Sequence, residues 1–182
     1  MSIVEQPQAV HKIKMILTFY GKGKGKTSCA LGIALRASGH NRSVLFCEFI
    51  KSDWQTGEDL AIGKIKNIKH KKFGLGFVRP QDSPRKTREH QEAIREGIVY
   101  LKKNANRYDL VILDEILVAI TLRLIKTKEV ISVIKANSRP DYILTGRPKN
   151  KEINDLSDLA SRIDKIKHPF DLGVKAKQGI DW

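Results

Sequence analysis

The stretch YGKGKGKTS, residues 20–28, constrains this chain more than any other. It follows MILTFY (Met15–Tyr20), an apolar, partly β-branched run that stops at glycine and so reads as a buried strand. It runs into KTSCALGIALRASG, which is small and apolar all round, closes at Gly39, and reads as a helix. Gly21, Gly23 and Gly25 let the backbone between them turn its N–H groups inward around phosphate oxygens. The helix beginning near Lys26 points the positive end of its dipole at the same place. Lys26 adds a point charge there, and the Thr27 hydroxyl suits Mg²⁺. In the usual form of such a loop, G-x-x-x-x-G-K-[ST], the first glycine falls where Tyr20 stands. That departure leaves two readings open: a hydrolase with an altered loop, or a loop that holds a nucleotide for another reaction.

The remainder of the chain alternates strand and helix signals. SVLFCEFI (Ser43–Ile50) reads as a second buried strand. Residues 51–83 are less regular, with short strand character around Ile68–Phe73. Ser83 and Pro84 together mark a helix start, and Ile94, Ile98 and Leu101 carry its apolar face to about Asn104. DLVILDE (Asp109–Glu115) is a strong strand, IKTKEVISVIKAN (Ile125–Asn137) an amphipathic helix, and DYILTG (Asp141–Gly146) another strand. A short helix over Asn154–Leu159 and a strand over ASRIDKI (Ala160–Ile166) complete the pattern. The expected fold is α/β: an N-terminal arm over 1–14, then a single P-loop, RecA-like domain over 15–182. Its central sheet is mostly parallel with helices on both faces. In such a sheet the ligand crevice lies at the carboxyl ends of the strands.

Several polar residues fall just past those ends. VILDE delivers Asp114 and Glu115, an acidic pair able to hold Mg²⁺ or, in a hydrolase, to activate water. TGR places Arg147 after another strand, and its guanidinium matches phosphate geometry. Arg36 on the first helix, Lys51 after the second strand and His168 in KHPF are weak signals taken singly, and a lone histidine is more often a structural hydrogen-bonder. Together these residues define a Mg²⁺-nucleotide site and leave the reaction open, with ATP hydrolysis or phosphoryl transfer as the default.

Composition narrows the partners. Neither a signal peptide nor a run of about 18 apolar residues is visible, so a cytoplasmic protein that does not enter a membrane is expected. Cys29 and Cys47 both fall in apolar runs and read as small buried hydrophobes, with no clustered zinc ligands. Net charge is +14, and residues 64–90 hold nine Lys or Arg against only Asp82 and Glu89. That stripe suits a solvated face or a polyanionic partner. Aromatic content is 7 % with no aromatic–basic interleaving, which argues against a single-strand nucleic-acid surface. An ATP-switched nucleic-acid binder stays open as a weaker alternative, testable by salt-dependent binding.

Read together, YGKGKGKTS, EFIKSDWQTGE, FGLGF, YDLVILDEI, ILTGR and KHPFDLGVKAKQGIDW resemble the P-loop cob(I)alamin adenosyltransferases over nearly the whole chain, Met15 to Trp182. A loop without its first glycine is usual in that family. The resemblance implies transfer of the 5′-deoxyadenosyl group of ATP to the cobalt of a reduced corrinoid, with triphosphate released, in adenosylcobalamin synthesis or salvage. It implies a triphosphate lying in the loop in the reverse sense to that of hydrolases. It assigns ATP contacts to Gly21, Lys22, Gly23, Lys24, Gly25, Lys26, Thr27 and Ser28, and to Arg36, Arg147 and His168. It makes Glu115 the Mg²⁺-associated glutamate, beside Thr27 and Asp114, with Lys26, Thr27 and Glu115 carrying the catalysis. Where relatives read GFTW, this chain reads GFVR, so Phe77 and, by position, Arg79 are the corrinoid contacts. Arg162 stands where a glutamate is common and is assigned no role. The family further implies a homodimer and an electron-donor protein such as a flavodoxin, whose acidic surface the basic stripe would suit.

Overall fold

In the computed structural model, which describes residues 14–51, 55–79 and 81–181, the run before the glycines is strand β1 (Ile16–Tyr20) and the run after them is helix α1 (Lys26–Gly39). There follow β2 (Val44–Glu48), α2 (Gly57–Ile62), β3 (Ile68–Lys72), α3 (Pro84–Asn104) and β4 (Leu110–Asp114). Then come α4 (Ile116–Thr121), α5 (Thr127–Ala136), β5 (Asp141–Gly146), α6 (Lys151–Leu156) and β6 (Leu159–Arg162). The strands form one sheet in the order β3-β2-β4-β5-β1-β6, and every pairing is parallel. This is the α/β, P-loop NTPase-like architecture that the alternation implies.

Both faces of the sheet are covered, which explains why β2 and β4 are buried at every position. Val44, Phe46, Leu110, Ile112 and Ile143 pack on Ala30, Ala34 and Ala37 of α1 and Ile62 of α2. Their strand neighbours Leu45, Cys47, Val111, Leu113 and Leu144 point the other way, onto Ile94, Ile98 and Leu101 of α3 and Val130, Val133 and Ile134 of α5. The small side chains on the buried stripe of α1 let its backbone lie close to the strands. That stripe runs through residues 26, 30, 34 and 37, so position 29 faces away. Cys47 is buried as expected, but Cys29 is exposed, which corrects the reading of both cysteines as core residues.

Helix α3 begins and ends where the cap and the apolar spacing place it. The Ser83 hydroxyl accepts from the Lys86 N–H at 3.2 Å, and Pro84 occupies the first turn. Two helices lack a clear sequence signal. Within the irregular stretch, Asp59 accepts from the Thr56 N–H at 2.7 Å and starts the short α2. The apolar, β-branched ILVAIT, which resembles more strand than helix, turns into α4 because Glu115 adopts left-handed backbone (φ 59°) and ends β4. Near the C-terminus the expected boundaries shift. Asn150 caps α6 through the Ile153 N–H (3.0 Å), so that helix covers Lys151–Leu156 rather than Asn154–Leu159. β6 accordingly pairs with β1 over Leu159–Arg162 and not to Ile166.

Residues 1–13 of the expected N-terminal arm lie outside the described residues. Lys14 is packed on the domain: its ammonium donates to the carbonyls of Ile134 and, at 2.8 Å, Asn137 at the end of α5. Among the described residues no helix is long and apolar enough to cross a membrane.

Candidate active site

Because every strand runs the same way, β1, β2, β4 and β5 end at one edge. Tyr20 stands opposite both Gly146 and Arg162, and Glu48 opposite Asp114. That edge opens into a cavity of about 510 Å³ walled by residues 22–28 of the loop, Lys51, Glu115, Arg147 and His168. The phosphate loop, Glu115, the arginine after β5 and the C-terminal histidine therefore meet there, with Asp114 buried behind Thr27.

The glycines answer to two different demands. Gly25 has φ 113°, a backbone that side-chain-bearing residues rarely adopt, although open space surrounds its α-carbon. At Gly23 space is the constraint: a β-carbon would lie 2.6 Å from the Asp164 carbonyl oxygen. The chain leaving β6 crosses the loop here, with the Gly23 N–H donating to the Ile163 carbonyl (2.8 Å) and the Ile163 N–H to the Tyr20 carbonyl (2.7 Å). The same C-terminal segment ties down Lys24 through Asp181.

Lys26 is 7 % exposed, and its ammonium donates to the Gly23 carbonyl at 2.7 Å. Burial pulls its pKa below the ordinary lysine value, Glu115 and Asp114 oppose that, and Arg147 adds to it. Asp114 is fully buried and well partnered. It accepts from the hydroxyls of Thr27 (3.0 Å) and Thr145 (2.6 Å). Burial nevertheless holds its carboxyl above the usual range. Thr145 also accepts from the Glu115 N–H at 2.8 Å, so one hydroxyl fixes both acids.

Glu115 differs from its neighbour. Its Oε2 is buried and, among the described residues, has no hydrogen-bond partner. Burial, then repulsion from Asp114, raises its pKa, with Lys26, Arg147 and Lys51 pulling the other way. An unsatisfied buried carboxylate oxygen is costly unless something binds it. The Thr27 hydroxyl, Asp114 and Glu115 are all hard oxygen donors, the set that Mg²⁺ takes. The residues present fit that ion.

A second cavity of about 590 Å³ adjoins the first, lined chiefly by apolar side chains, among them Ile50, Phe77, Val78, Val118 and Leu122. Lys51, Glu115 and Arg147 line both cavities and form the seam between them. Phe77 lines this cavity with most of its side chain exposed, 83 %. Arg79 is not among the lining residues; its N–H donates to Asp82 (2.7 Å) in the turn leading to α3.

The other expected contacts divide. His168 reaches the first cavity, and its Nδ1 accepts from the Phe170 N–H (3.2 Å), which leaves Nε2 as a donor. Arg36 is exposed in the last turn of α1, about 15 Å along the helix from Lys26, and is not a cavity-lining residue. Lys51 is only a weak signal in the chain, and its partners carry no signal of their own. Its ammonium donates to Glu48 (2.7 Å) and Glu58 (3.0 Å) and stands 3.6 Å from Asp114. Glu48 is held in turn by His70 at 3.1 Å, and Asp59 by Lys72 at 2.6 Å. Such a network depends on β3 lying beside β2, which residue spacing does not reveal.

Sheet order, glycine loop and acidic strand end together define a P-loop protein whose nucleotide cavity abuts an apolar one. Residues 12–182 match the model of the family described as ATP:corrinoid adenosyltransferase BtuR/CobO/CobP. The chain is 33 % identical to the corrinoid adenosyltransferase CobA of Salmonella typhimurium over 184 residues, which cover 96 % of this chain and 89 % of that protein. It is 33 % identical to the corrinoid adenosyltransferase of Escherichia coli K12, with the same coverage of each chain. A corrinoid adenosyltransferase of a Sinorhizobium species is 30 % identical over 92 % of this chain and 80 % of its own length. The chain belongs to the ATP:corrinoid adenosyltransferase family and is an enzyme of that kind.

Proposed function

We propose that this chain transfers the 5′-deoxyadenosyl group of ATP to the cobalt of a reduced corrinoid such as cob(I)alamin and releases triphosphate. The observation that carries this reading is the pair of adjoining cavities, one glycine-lined and cationic, the other apolar, with Lys51, Glu115 and Arg147 as their common wall. A hydrolase needs only the first cavity and a water. An alkyl transfer to a corrinoid needs both, with the ribose 5′-carbon offered at the seam.

Each part of the site has a task in that reaction. The N–H groups and side chains of residues 21–28, Lys26 foremost, hold the triphosphate in the reverse sense to a hydrolase, so that its α-phosphate lies toward the seam. Arg147 and the Nε2 donor of His168 add contacts to the nucleotide, and Arg36 serves its nucleoside end. Thr27, Glu115 and, through its hydrogen bond to Thr27, Asp114 would hold Mg²⁺, which supplies positive charge to the triphosphate. Phe77 packs against the corrinoid in the apolar cavity, and Arg79, two residues further on and outside the cavity lining, contacts the corrinoid from the turn before α3. No general base is required, because a cob(I) centre is itself the nucleophile. What the protein supplies is orientation and complementary charge at the leaving group.

The test is the product. With ATP, Mg²⁺ and chemically reduced corrinoid, the expected yield is adenosylcorrinoid and inorganic triphosphate in equal amounts, with little turnover when corrinoid is withheld. ADP and phosphate formed at a rate indifferent to corrinoid would identify a P-loop ATPase instead.

The basic stripe fits a protein reductant in the same reading. Lys64, Lys66, Lys69, Arg79, Arg85, Lys86 and Arg88 are exposed, and they lie in the chain on either side of Phe77. A flavodoxin-like donor with an acidic face would be drawn there. Its rate of corrinoid reduction is expected to fall steeply as ionic strength rises, and a salt-independent rate would remove the stripe from that role.

A further inference from the structure

We propose that Lys51 is a further residue of the transfer reaction: the cation that donates to the departing phosphate oxygen at the seam between the two cavities. The inference rests on the adenosyl-transfer reading and adds a residue to it.

Placement is the first argument. Lys51 lines both cavities, whereas Lys26 lines only the glycine-walled one and points back at the Gly23 carbonyl. If the 5′-carbon is offered at the seam, the bond that breaks lies beside Lys51. In that step the cobalt electron pair forms the Co–C bond and cobalt passes formally from I to III. The C5′–O pair leaves with triphosphate, whose former ester oxygen gains a negative charge, and no proton is exchanged. A cation fixed beside that oxygen stabilises charge that grows only as the bond breaks.

The ammonium is also held in a way that suits this task. Two of its three N–H groups are engaged, by Glu48 at 2.7 Å and Glu58 at 3.0 Å. Among the described residues no third acceptor lies within hydrogen-bond distance, Asp114 standing at 3.6 Å. Glu48 cannot swing away, because His70 Nε2 grips its other oxygen at 3.1 Å. The ammonium is therefore anchored from behind, with one donor to spare and 28 % of the side chain exposed.

A competing use of the cluster is a metal site, since ligand atoms of Glu48, Asp59 and His70 all lie within 4.8 Å of one another. The ammonium groups of Lys51 and Lys72 already sit on the Glu48 and Asp59 oxygens, at 2.7 and 2.6 Å. Those carboxylates compensate lysines, and a divalent ion would have to displace them.

Lys51→Met, Lys51→Arg and Glu48→Gln in the full chain test the assignment. The assay follows adenosylcorrinoid and triphosphate with saturating Mg²⁺-ATP and reduced corrinoid, and ATP affinity is measured separately without corrinoid. Lys51→Met is expected to lower kcat by about 10²-fold, the usual cost of one transition-state donor, while ATP affinity changes by no more than about threefold. Lys51→Arg, which keeps the charge, should recover at least about tenfold of that loss, and Glu48→Gln, which loosens the anchor, should fall between. A Lys51→Met kcat within about threefold of wild type overturns the proposal. So does a parallel loss of ATP binding in both the Met and Arg variants, which would mark a purely structural residue. If wild type itself releases ADP, the transfer reading fails; if wild type transfers normally and Lys51→Met does too, only this inference fails.

Discussion

Lys26→Ala should lower kcat/KM for adenosyl transfer by about 10²–10³-fold, the largest single effect expected in this protein. The side chain is 7 % exposed and sits at the mouth of α1, inside the curve of the loop. Its hydrogen-bond partner among the described residues is the Gly23 carbonyl, so little must be given up when phosphate arrives. Alanine leaves the loop N–H groups and the helix dipole in place, so triphosphate should still bind, more weakly. What is lost is a full positive charge in a partly desolvated site, where it is worth far more than in water. Parallel measurement of nucleotide affinity and single-turnover transfer separates the two contributions. Near-normal turnover would remove Lys26 from the catalytic set.

The second large effect concerns Glu115. Glu115→Gln keeps the shape of the side chain and removes its charge, so the Mg²⁺ concentration for half-maximal rate should rise by at least about tenfold, with kcat at physiological Mg²⁺ down by roughly 10²-fold. The Glu115 Oε2 is buried beside the Thr27–Asp114 pair and, among the described residues, has no hydrogen-bond partner. The same burial sets the direction of a stability change. A carboxyl whose pKa is raised by burial and by Asp114 favours the fold in its neutral form. That contribution is complete below the unfolded pKa and is lost as pH rises through the folded value. Without metal, therefore, Glu115→Gln should stabilise the protein at neutral pH and make little difference in acid. A Mg²⁺ titration and thermal melts at two pH values check both expectations. An unchanged Mg²⁺ requirement would move the ion elsewhere.

The two residues illustrate how unevenly the site could be read beforehand. Lys26 follows from a loop motif contained within residues 20–28, and Glu115 from an acidic pair closing an apolar strand. Helix α3 was equally legible, since Ser83, Pro84 and the spacing of Ile94, Ile98 and Leu101 are local signals. The short helices were not. α2 starts on a single side-chain cap in an irregular stretch, and α4 is written in strand-forming residues that one left-handed turn at Glu115 redirects. Cys29 shows the opposite failure, in which an apolar run suggested a buried place and the helical phase of α1 set the residue outside.

The sequence by itself determined the chemistry that is local in the chain. Loop dihedrals, helix caps and strand-end acids all depend on residues a few positions apart. It also determined the class of sheet, because buried strands alternating with helices have few ways to pack. Tertiary structure alone decided what lies across from what. Glu48, which anchors Lys51, is itself held by His70 only because β3 pairs with β2. The chain after β6 crosses the loop only because β6 pairs with β1. The apolar cavity next to the phosphate loop is likewise assembled from separate segments around residues 50, 77 and 118. Strand order and register arise from burial summed over the whole sheet, so these contacts between residues distant in the chain leave no mark in residue spacing.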